Sequence, residues 1–252
     1  MNVLITGSEG FIGKNLSKYL WNRGYKIVPW DNKHNKPLRD FTTSSLLGID
    51  YVIHLAAKAG VRQSINEPDE YWETNVEGSK RLFDICYAEG VPVIYASSSN
   101  AKYWWMSPYA TTKKAMEGLA YPDQIGLRFT TVYGPGGREN MFITKLKNGT
   151  LKYVTDGHKR DFIHVEDVCS AIHTLMTTPN KDFISQILDV GLGSAYDIKS
   201  LANMSGQYNW EIKKGEPTEV ASNQCQNNEM RALGWEPTHS LYEYLDFNDN
   251  TN

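Results

Sequence analysis

The sequence predicts an α/β fold, with a doubly wound parallel sheet and a smaller C-terminal lobe. Three observations point there. Short β-rich runs alternate with helix-periodic segments through the first half of the chain. The first run enters its helix through a turn with regularly spaced glycines. After about Tyr133 glycine, asparagine and proline become frequent and the elements shorten.

Taken in order, Val3 to Ile5 is a short apolar strand. Phe11 to Arg23 reads as a helix, because Phe11, Ile12, Asn15, Leu16, Tyr19 and Leu20 follow the helical period, and Gly24 ends it. Tyr25 to Trp30 and Tyr51 to Leu55 are the next two strands. Tyr71 to Glu89 is expected as one long helix, with Trp72, Val76, Leu82, Phe83 and Cys86 on one side and Gly90 at its end. Val91 to Ala96 follows as a strand. Ser107 to Tyr121 reads as a helix with Ser107 as its cap and Pro108 at its first position. Ile125 to Phe129 is a fifth strand. The expected division is a dinucleotide-binding domain over residues 1–133, to which later strands return, and a mostly substrate-binding lobe over residues 134–252. That lobe sits at the C-terminal edges of the strands, where open α/β sheets bind ligands.

Composition excludes several classes. The chain of 252 residues carries 26 Lys+Arg against 29 Asp+Glu, a net charge of −3, so no basic excess points to nucleic acid or an anionic membrane. The longest apolar runs are short, such as Tyr103-Trp104-Trp105-Met106, whereas a membrane-spanning helix needs ~20 mostly apolar residues. Met1-Asn2-Val3-Leu4-Ile5 runs straight into a strand without a basic, then apolar, leader pattern. Cys86, Cys169 and Cys225 are scattered and odd in number, which suggests free thiols in a reducing compartment. His158, His164 and His173 are spaced too irregularly for a metal site. The expectation is a cytoplasmic protein with no metal, nucleic-acid or membrane partner.

Gly7, Gly10 and Gly13 stand in Thr6-Gly7-Ser8-Glu9-Gly10-Phe11-Ile12-Gly13, after a strand and at the opening of a helix. Glycine lets such a turn tighten and lets a pyrophosphate approach the backbone, while the helix N-terminus offers free N–H groups. Asp31, 18 residues after Gly13, ends the second strand. A carboxylate there can accept from ribose hydroxyls and repels a 2′-phosphate, which favours NAD over NADP, with Lys33 close enough to weigh the other way. Without its flanking strand, helix and acid, the motif would be only a tight turn. With them it predicts a Rossmann-type dinucleotide site.

Tyr109 and Lys113 are spaced i, i+4 on one predicted helix, so both side chains project the same way. A nearby ammonium favours a phenolate, which then takes a proton from a sugar or alcohol hydroxyl as hydride leaves the adjacent carbon. Alone, the pair also describes a half-buried tyrosine beside a solvated lysine. Ser97-Ser98-Ser99 at the end of the preceding strand adds hydroxyls facing the cofactor crevice, although small residues in a strand-end loop would look the same.

Further segments extend the pattern: Val52-Ile53-His54-Leu55-Ala56-Ala57, Thr74-Asn75-Val76-Glu77-Gly78, Leu127-Arg128-Phe129 through Tyr133-Gly134-Pro135, and Arg160-Asp161-Phe162-Ile163-His164-Val165-Glu166-Asp167-Val168. With the glycine turn, Ala96-Ser97-Ser98 and Tyr109-x-x-x-Lys113, they resemble the extended short-chain dehydrogenase/reductase family, in its NAD-dependent nucleotide-sugar epimerase/dehydratase group, from Val3 to about Leu245. Ala59-Gly60-Val61-Arg62-Gln63-Ser64, and Thr131-Val132-Tyr133-Gly134-Pro135 with Gly137-Arg138-Glu139-Asn140-Met141, are similar to the UDP-glucuronate 4-epimerase branch.

The resemblance implies roles. Tyr109 would be the base, Lys113 its activator and a cofactor ligand, and Ser98 the hydroxyl partner, with Ser99 as the alternative. Gly7, Gly10, Phe11, Ile12, Gly13 and Asp31 would bind NAD. Asp40 with Phe41 would sit near adenine, His54 to Ala57, including Leu55 and Ala56, would line the cofactor, and Asn75 would order the site. Arg160 would hold a phosphate of a nucleotide sugar, unless Arg160-Asp161 is only a surface ion pair. Thr131 and the serines would meet the hexose and its 6-substituent, and Arg138 would join the substrate site. The helices Tyr71–Glu89 and Ser107–Tyr121 would pair in a homodimer.

Family members that dehydrate or decarboxylate the sugar carry an acidic side chain just after the strand-end hydroxyl. Here Ser98 is followed by Ser99, Asn100, Ala101 and Lys102. An asparagine is neither acid nor base at neutral pH. The implied reaction is therefore 4-epimerisation through a transient 4-keto-hexose, of a UDP-sugar such as UDP-glucuronate. A 4,6-dehydratase, a keto-reductase and a catalytically idle NAD-binding protein stay as alternatives. The segment between Ser99 and Tyr109 is shorter than the family's, and Tyr103 to Met106 is expected to pack in the core or at a dimer contact, or else to cover the sugar site as a flap.

Overall fold

The computed structural model describes residues 1–179 and 184–247. Six parallel strands form the central sheet: β1 (Asn2–Thr6), β2 (Lys26–Trp30), β3 (Tyr51–His54), β4 (Val93–Ser98), β5 (Ile125–Phe129) and, after the first part of the lobe, a strand over Ile187–Val190. Their spatial order is Ile187–Val190, β5, β4, β3, β1, β2. The order reverses between β1 and β3, so the loops leaving those two strands diverge and open a crevice.

β1 and β3 read as continuous apolar runs because both faces of the sheet are covered. Val3 and Ile5 point to one face, where α1 (Phe11–Trp21) lies beside a helix over Val165–Thr177. Leu4 and Val52 point to the other, against Leu82, Phe83 and Cys86. A third core, around Tyr133, Ile143, Leu146, Phe162, Ile198, Leu201 and Leu241, belongs to the lobe.

The long helix expected from Tyr71 is divided. After α2 (Val61–Asn66), which the sequence pattern did not indicate, come α3 (Pro68–Trp72), a π-helical turn over Glu73–Glu77, and α4 (Gly78–Ala88). Asn75 lies in the π turn, and its side chain brackets the backbone of Lys58 through Lys58 N–H at 2.8 Å and Lys58 O at 3.0 Å. A π turn of this kind reorients side chains locally, which here turns the amide inward. α5 (Pro108–Leu119) has the expected start: Ser107 Oγ accepts the Ala110 N–H at 3.2 Å and Pro108 occupies the first turn.

β4 runs two residues beyond the expected Ala96, because Ser97 and Ser98 pair with Arg128 and Phe129 of β5. Tyr103-Trp104-Trp105-Met106 lies in a 3-10 stretch, and Tyr103, Trp104 and Trp105 are exposed, so they are not core. The first lobe elements are short: β6 (Thr131–Tyr133), α6 (Phe142–Lys147), β7 (Tyr153–Thr155), β8 (Lys159–Arg160) and β9 (Phe162–His164). Among the described residues no helix is long and apolar enough to cross a membrane.

Candidate active site

Two clefts open at the C-terminal ends of the strands. The larger, about 680 Å³, lies along the glycine turn and is lined by Gly7, Gly10, Asp31, Leu55, Ala56 and Ala57 on the sheet side. Lys58, Glu70, Glu73 and Arg81 face them. The glycines are sterically required. Gly7 has φ +67° and a Cβ there would lie 2.7 Å from Ala56 N. A Cβ on Gly13 would lie 2.1 Å from Gly7 O, so no other residue allows the helix to approach the turn. Phe11 and Ile12 begin α1 and pack against the core beneath the sheet.

Thr6 binds the two loops together. Its Oγ1 accepts the N–H groups of Leu55 and Ala56, each at 3.1 Å, and pairs with His54 Nδ1 at 2.7 Å. His54 is buried, with Nε2 against Ser79 Oγ at 2.9 Å, and burial lowers its imidazole to about 3, so it is neutral. It braces the cleft from beneath, while Leu55 to Ala57 form the wall.

Asp31 stands at the cleft as expected, but it also ties the turn. Its Oδ2 accepts the Glu9 N–H and its Oδ1 the Lys33 N–H, both at 3.0 Å. Asp40 and Phe41 lie next to the cleft but outside its lining. Phe41 is fully buried in edge contact with Trp30, and the cleft wall beside it is Leu38 and Arg39. The reason is hydrophobic burial: a phenyl ring at the end of a 3-10 turn joins the core sooner than it lines a wet crevice.

The fit of a dinucleotide to this cleft can be judged on the turn itself. Ser8 is buried at 3% exposure, and its Oγ finds no hydrogen-bond partner. Buried hydroxyls nearly always have partners. An unpartnered one inside a glycine turn at a helix N-terminus fits a bound phosphate, and Gly7, Gly10 and Gly13 leave the room for it.

Ser98, at the end of β4, meets Tyr109 and Lys113 of α5 outside the lining of either cleft. The Ser98 hydroxyl is close enough to Tyr109 to favour its phenolate. Ser98 Oγ also accepts the Asn100 N–H at 3.2 Å. Lys113 is buried and donates from Nζ to Ala96 O at 2.8 Å. Burial lowers its ammonium to about 8, against the opposing pull of the Glu117 carboxylate. The expected electrostatics differ in one respect. Burial raises the Tyr109 phenol, and the groups that pull it back down are Ser98 and the Arg138 guanidinium. The Lys113 ammonium turns to a backbone carbonyl, because a buried charge takes the nearest acceptor.

The smaller cleft, about 190 Å³, adjoins the lobe and is lined by Arg62, Thr131, Tyr153, His158, Arg160 and Glu219 among others. Arg160 is fastened by Lys159 O at 2.8 Å, Ala221 O at 3.1 Å and His158 Nδ1 at 3.0 Å. Burial holds its guanidinium below the usual value, with Glu219 opposing. The surface pair Arg160-Asp161 does not form. Asp161 is fully buried and accepts the N–H groups of Leu192 at 2.8 Å, Gly193 at 3.0 Å and Cys225 at 3.2 Å. Arg138 is exposed and outside the lining of either cleft, although its charge reaches Tyr109.

Several residues of the site escaped the sequence reading. Glu117 lies four residues beyond Lys113, so the helical spacing already carried its signal. Asn223, which donates from Nδ2 to Thr131 Oγ1 at 3.1 Å and to Ser99 Oγ at 3.4 Å, had no local signal at all.

A family model described as the NAD dependent epimerase/dehydratase family matches residues 3–191. Protein CapI of Staphylococcus aureus is 30% identical over 81% of this chain and 79% of its own. A UDP-glucuronate 4-epimerase of Thermodesulfobacterium geofontis is 29% identical over 66% of this chain and 68% of its own. Among solved structures, MoeE5 in complex with UDP-glucose and NAD superimposes with a TM-score of 0.88 at 31% identity, covering 98% of this chain and 97% of that one.

Proposed function

The chain belongs to the NAD dependent epimerase/dehydratase family, and from that premise we propose that it is a UDP-sugar 4-epimerase whose first substrate is UDP-glucuronate. The observation that carries this reading is that the Ser98 hydroxyl pulls the Tyr109 phenol down, with Lys113 one turn along the same helix and, among the described residues, the carboxylates Glu117, Asp161 and Asp189 all tied to other partners. Glu117 is bound to Arg128, Asp161 to three backbone N–H groups, and Asp189 to Lys102. A dehydratase needs a free acid or base to move the C5 proton and release the C6 hydroxyl, whereas a 4-epimerase needs only one base at the C4 oxygen.

NAD, when bound, supplies a reversible two-electron acceptor for the sugar C4 carbinol. Gly7, Gly10, Gly13, Ser8 and Asp31 would hold it. Tyr109 takes the proton of the C4 hydroxyl and returns it after the sugar has turned. Ser98 donates to the same oxygen and keeps it in line with the phenol. Arg160 and Arg62 hold the diphosphate in the smaller cleft, a match of planar guanidinium to phosphate. The same reading gives a cytoplasmic homodimer, paired through α3–α4 and α5.

Support for UDP-glucuronate comes from the relative of that name and from MoeE5, which is also described in complex with UDP-glucuronic acid and NAD. The test is to incubate purified protein with UDP-glucuronate, UDP-glucose and UDP-N-acetylglucosamine and follow C4 inversion by proton NMR. UDP-galacturonate is the expected product. A 4-keto-6-deoxy sugar would move the protein to the dehydratases, and no C4 epimer from any of the three would end the proposal. Light scattering at micromolar concentration should return twice the mass of the chain.

A further inference from the structure

Asn223 joins three segments distant in sequence, and its amide orientation is fixed by chemistry. Oδ1 accepts the Asp161 N–H at 2.8 Å. A backbone N–H has no lone pair, so the carbonyl end must face it. Nδ2 then faces Thr131 Oγ1 at 3.1 Å and Ser99 Oγ at 3.4 Å, and it donates to both. Asn223 is buried, and its anchor Asp161 is itself held by three backbone N–H groups. The arrangement is rigid before any ligand arrives.

An amide nitrogen brings two protons and nothing to accept with. Each hydroxyl that accepts from it keeps its own O–H free for a third group. Thr131 lines the smaller cleft and Ser99 shares its amide donor, so the reading above puts both hydroxyls beside the hexose. We propose that Asn223 is a specificity-determining positioning residue: by donating to Ser99 and Thr131 it turns both hydroxyls into O–H donors toward the C6 substituent, which selects a carboxylate over a hydroxymethyl group. This rests on the nucleotide-hexose reading given above. An ionised carboxylate only accepts hydrogen bonds, and charge-assisted bonds to it are roughly twice as strong as neutral ones. A hydroxymethyl group offers one neutral oxygen in place of two that share a charge, so the same pair of O–H donors gains less from it.

The test compares the NAD-loaded wild type with Asn223→Asp. The aspartate keeps an oxygen for the Asp161 N–H but accepts from Ser99 and Thr131, which reverses the direction of both hydroxyls. Calorimetric Kd values and kcat/KM are measured for UDP-glucuronate and UDP-glucose. The wild type should favour UDP-glucuronate at least tenfold, and Asn223→Asp should cut that ratio at least tenfold by raising KM for the uronate more than it lowers kcat. Equal affinities in the wild type, or equal losses for both sugars in the variant, would overturn the proposal. Should Asn223→Asp fail to fold, Thr131→Val in the wild-type background removes one donor and should lower the same ratio by about tenfold; an unchanged ratio overturns the proposal as well. A wild type that binds the uronate selectively yet converts neither sugar leaves this inference standing and removes the epimerase reading.

Discussion

Glu117 and Arg128 form a two-point ion pair, with Arg128 Nε to Oε1 at 2.7 Å and Arg128 Nη2 to Oε2 at 2.6 Å. Ser97 Oγ donates to the same Oε1 at 2.6 Å. The pair fixes the helix that carries Tyr109 and Lys113 to the strand that carries Ser98 and to its neighbour. Glu117 is almost fully buried, so removing its charge strands Arg128. Glu117→Gln should lower the unfolding free energy by about 3 kcal/mol, as for other broken buried pairs. Urea melts at neutral pH measure it, and a loss below about 1 kcal/mol would mean that the pair is solvated.

Lys113 gives a pH dependence with a definite sign. Its ammonium titrates at about 8 in the fold, below the ordinary lysine value of 10.5. Between those values the unfolded chain binds more protons, so this group adds stability as pH rises and imposes a constant cost below pH ~8. The full cost is about 3 kcal/mol, from roughly 1.4 kcal/mol per pKa unit. Lys113→Met should therefore be most stabilised relative to wild type at pH 7 in the cofactor-free protein. That advantage should shrink by pH 10, and a difference independent of pH would contradict the depressed lysine.

Tyr109 should govern turnover. Its phenol is raised by burial, so the free enzyme holds little phenolate at pH 7 and kcat/KM should climb toward alkaline pH. Tyr109→Phe should reduce kcat by ~10²–10⁴ while NAD binding persists. Equal loss of cofactor and activity would show that the residue serves packing instead.

Ser8 should trade stability against cofactor affinity. Its Oγ is buried and unpartnered, a state that costs ~1–3 kcal/mol. Ser8→Ala should raise the melting temperature of the cofactor-free protein and weaken NAD binding about tenfold. Gly13→Ala, whose methyl would meet Gly7 O, should abolish NAD binding altogether. Calorimetry on the two variants separates a phosphate contact from a steric collapse.

The glycine turn, the paired sheet and the Tyr109–Lys113 pair were legible because each is written in local spacing. Glycines at fixed intervals dictate a turn, apolar runs dictate buried strands, and residues four apart share a helix face. The break of the helix after Trp72 was not legible, because a π turn keeps the apolar pattern on both sides and is marked only by the inward amide of Asn75.

By itself the sequence determined the alternation of strands and helices in the first half, the glycine turn between β1 and α1, and the helix that carries Tyr109 and Lys113 together. Only the tertiary structure decided the partners of those groups: Lys113 on Ala96, Glu117 on Arg128, Phe41 in the core, and Asn223 on Thr131 and Ser99 from 92 and 124 residues away. Backbone geometry is set by neighbours within one or two turns, whereas burial and hydrogen-bond satisfaction are settled by whatever distant segment arrives in the same volume.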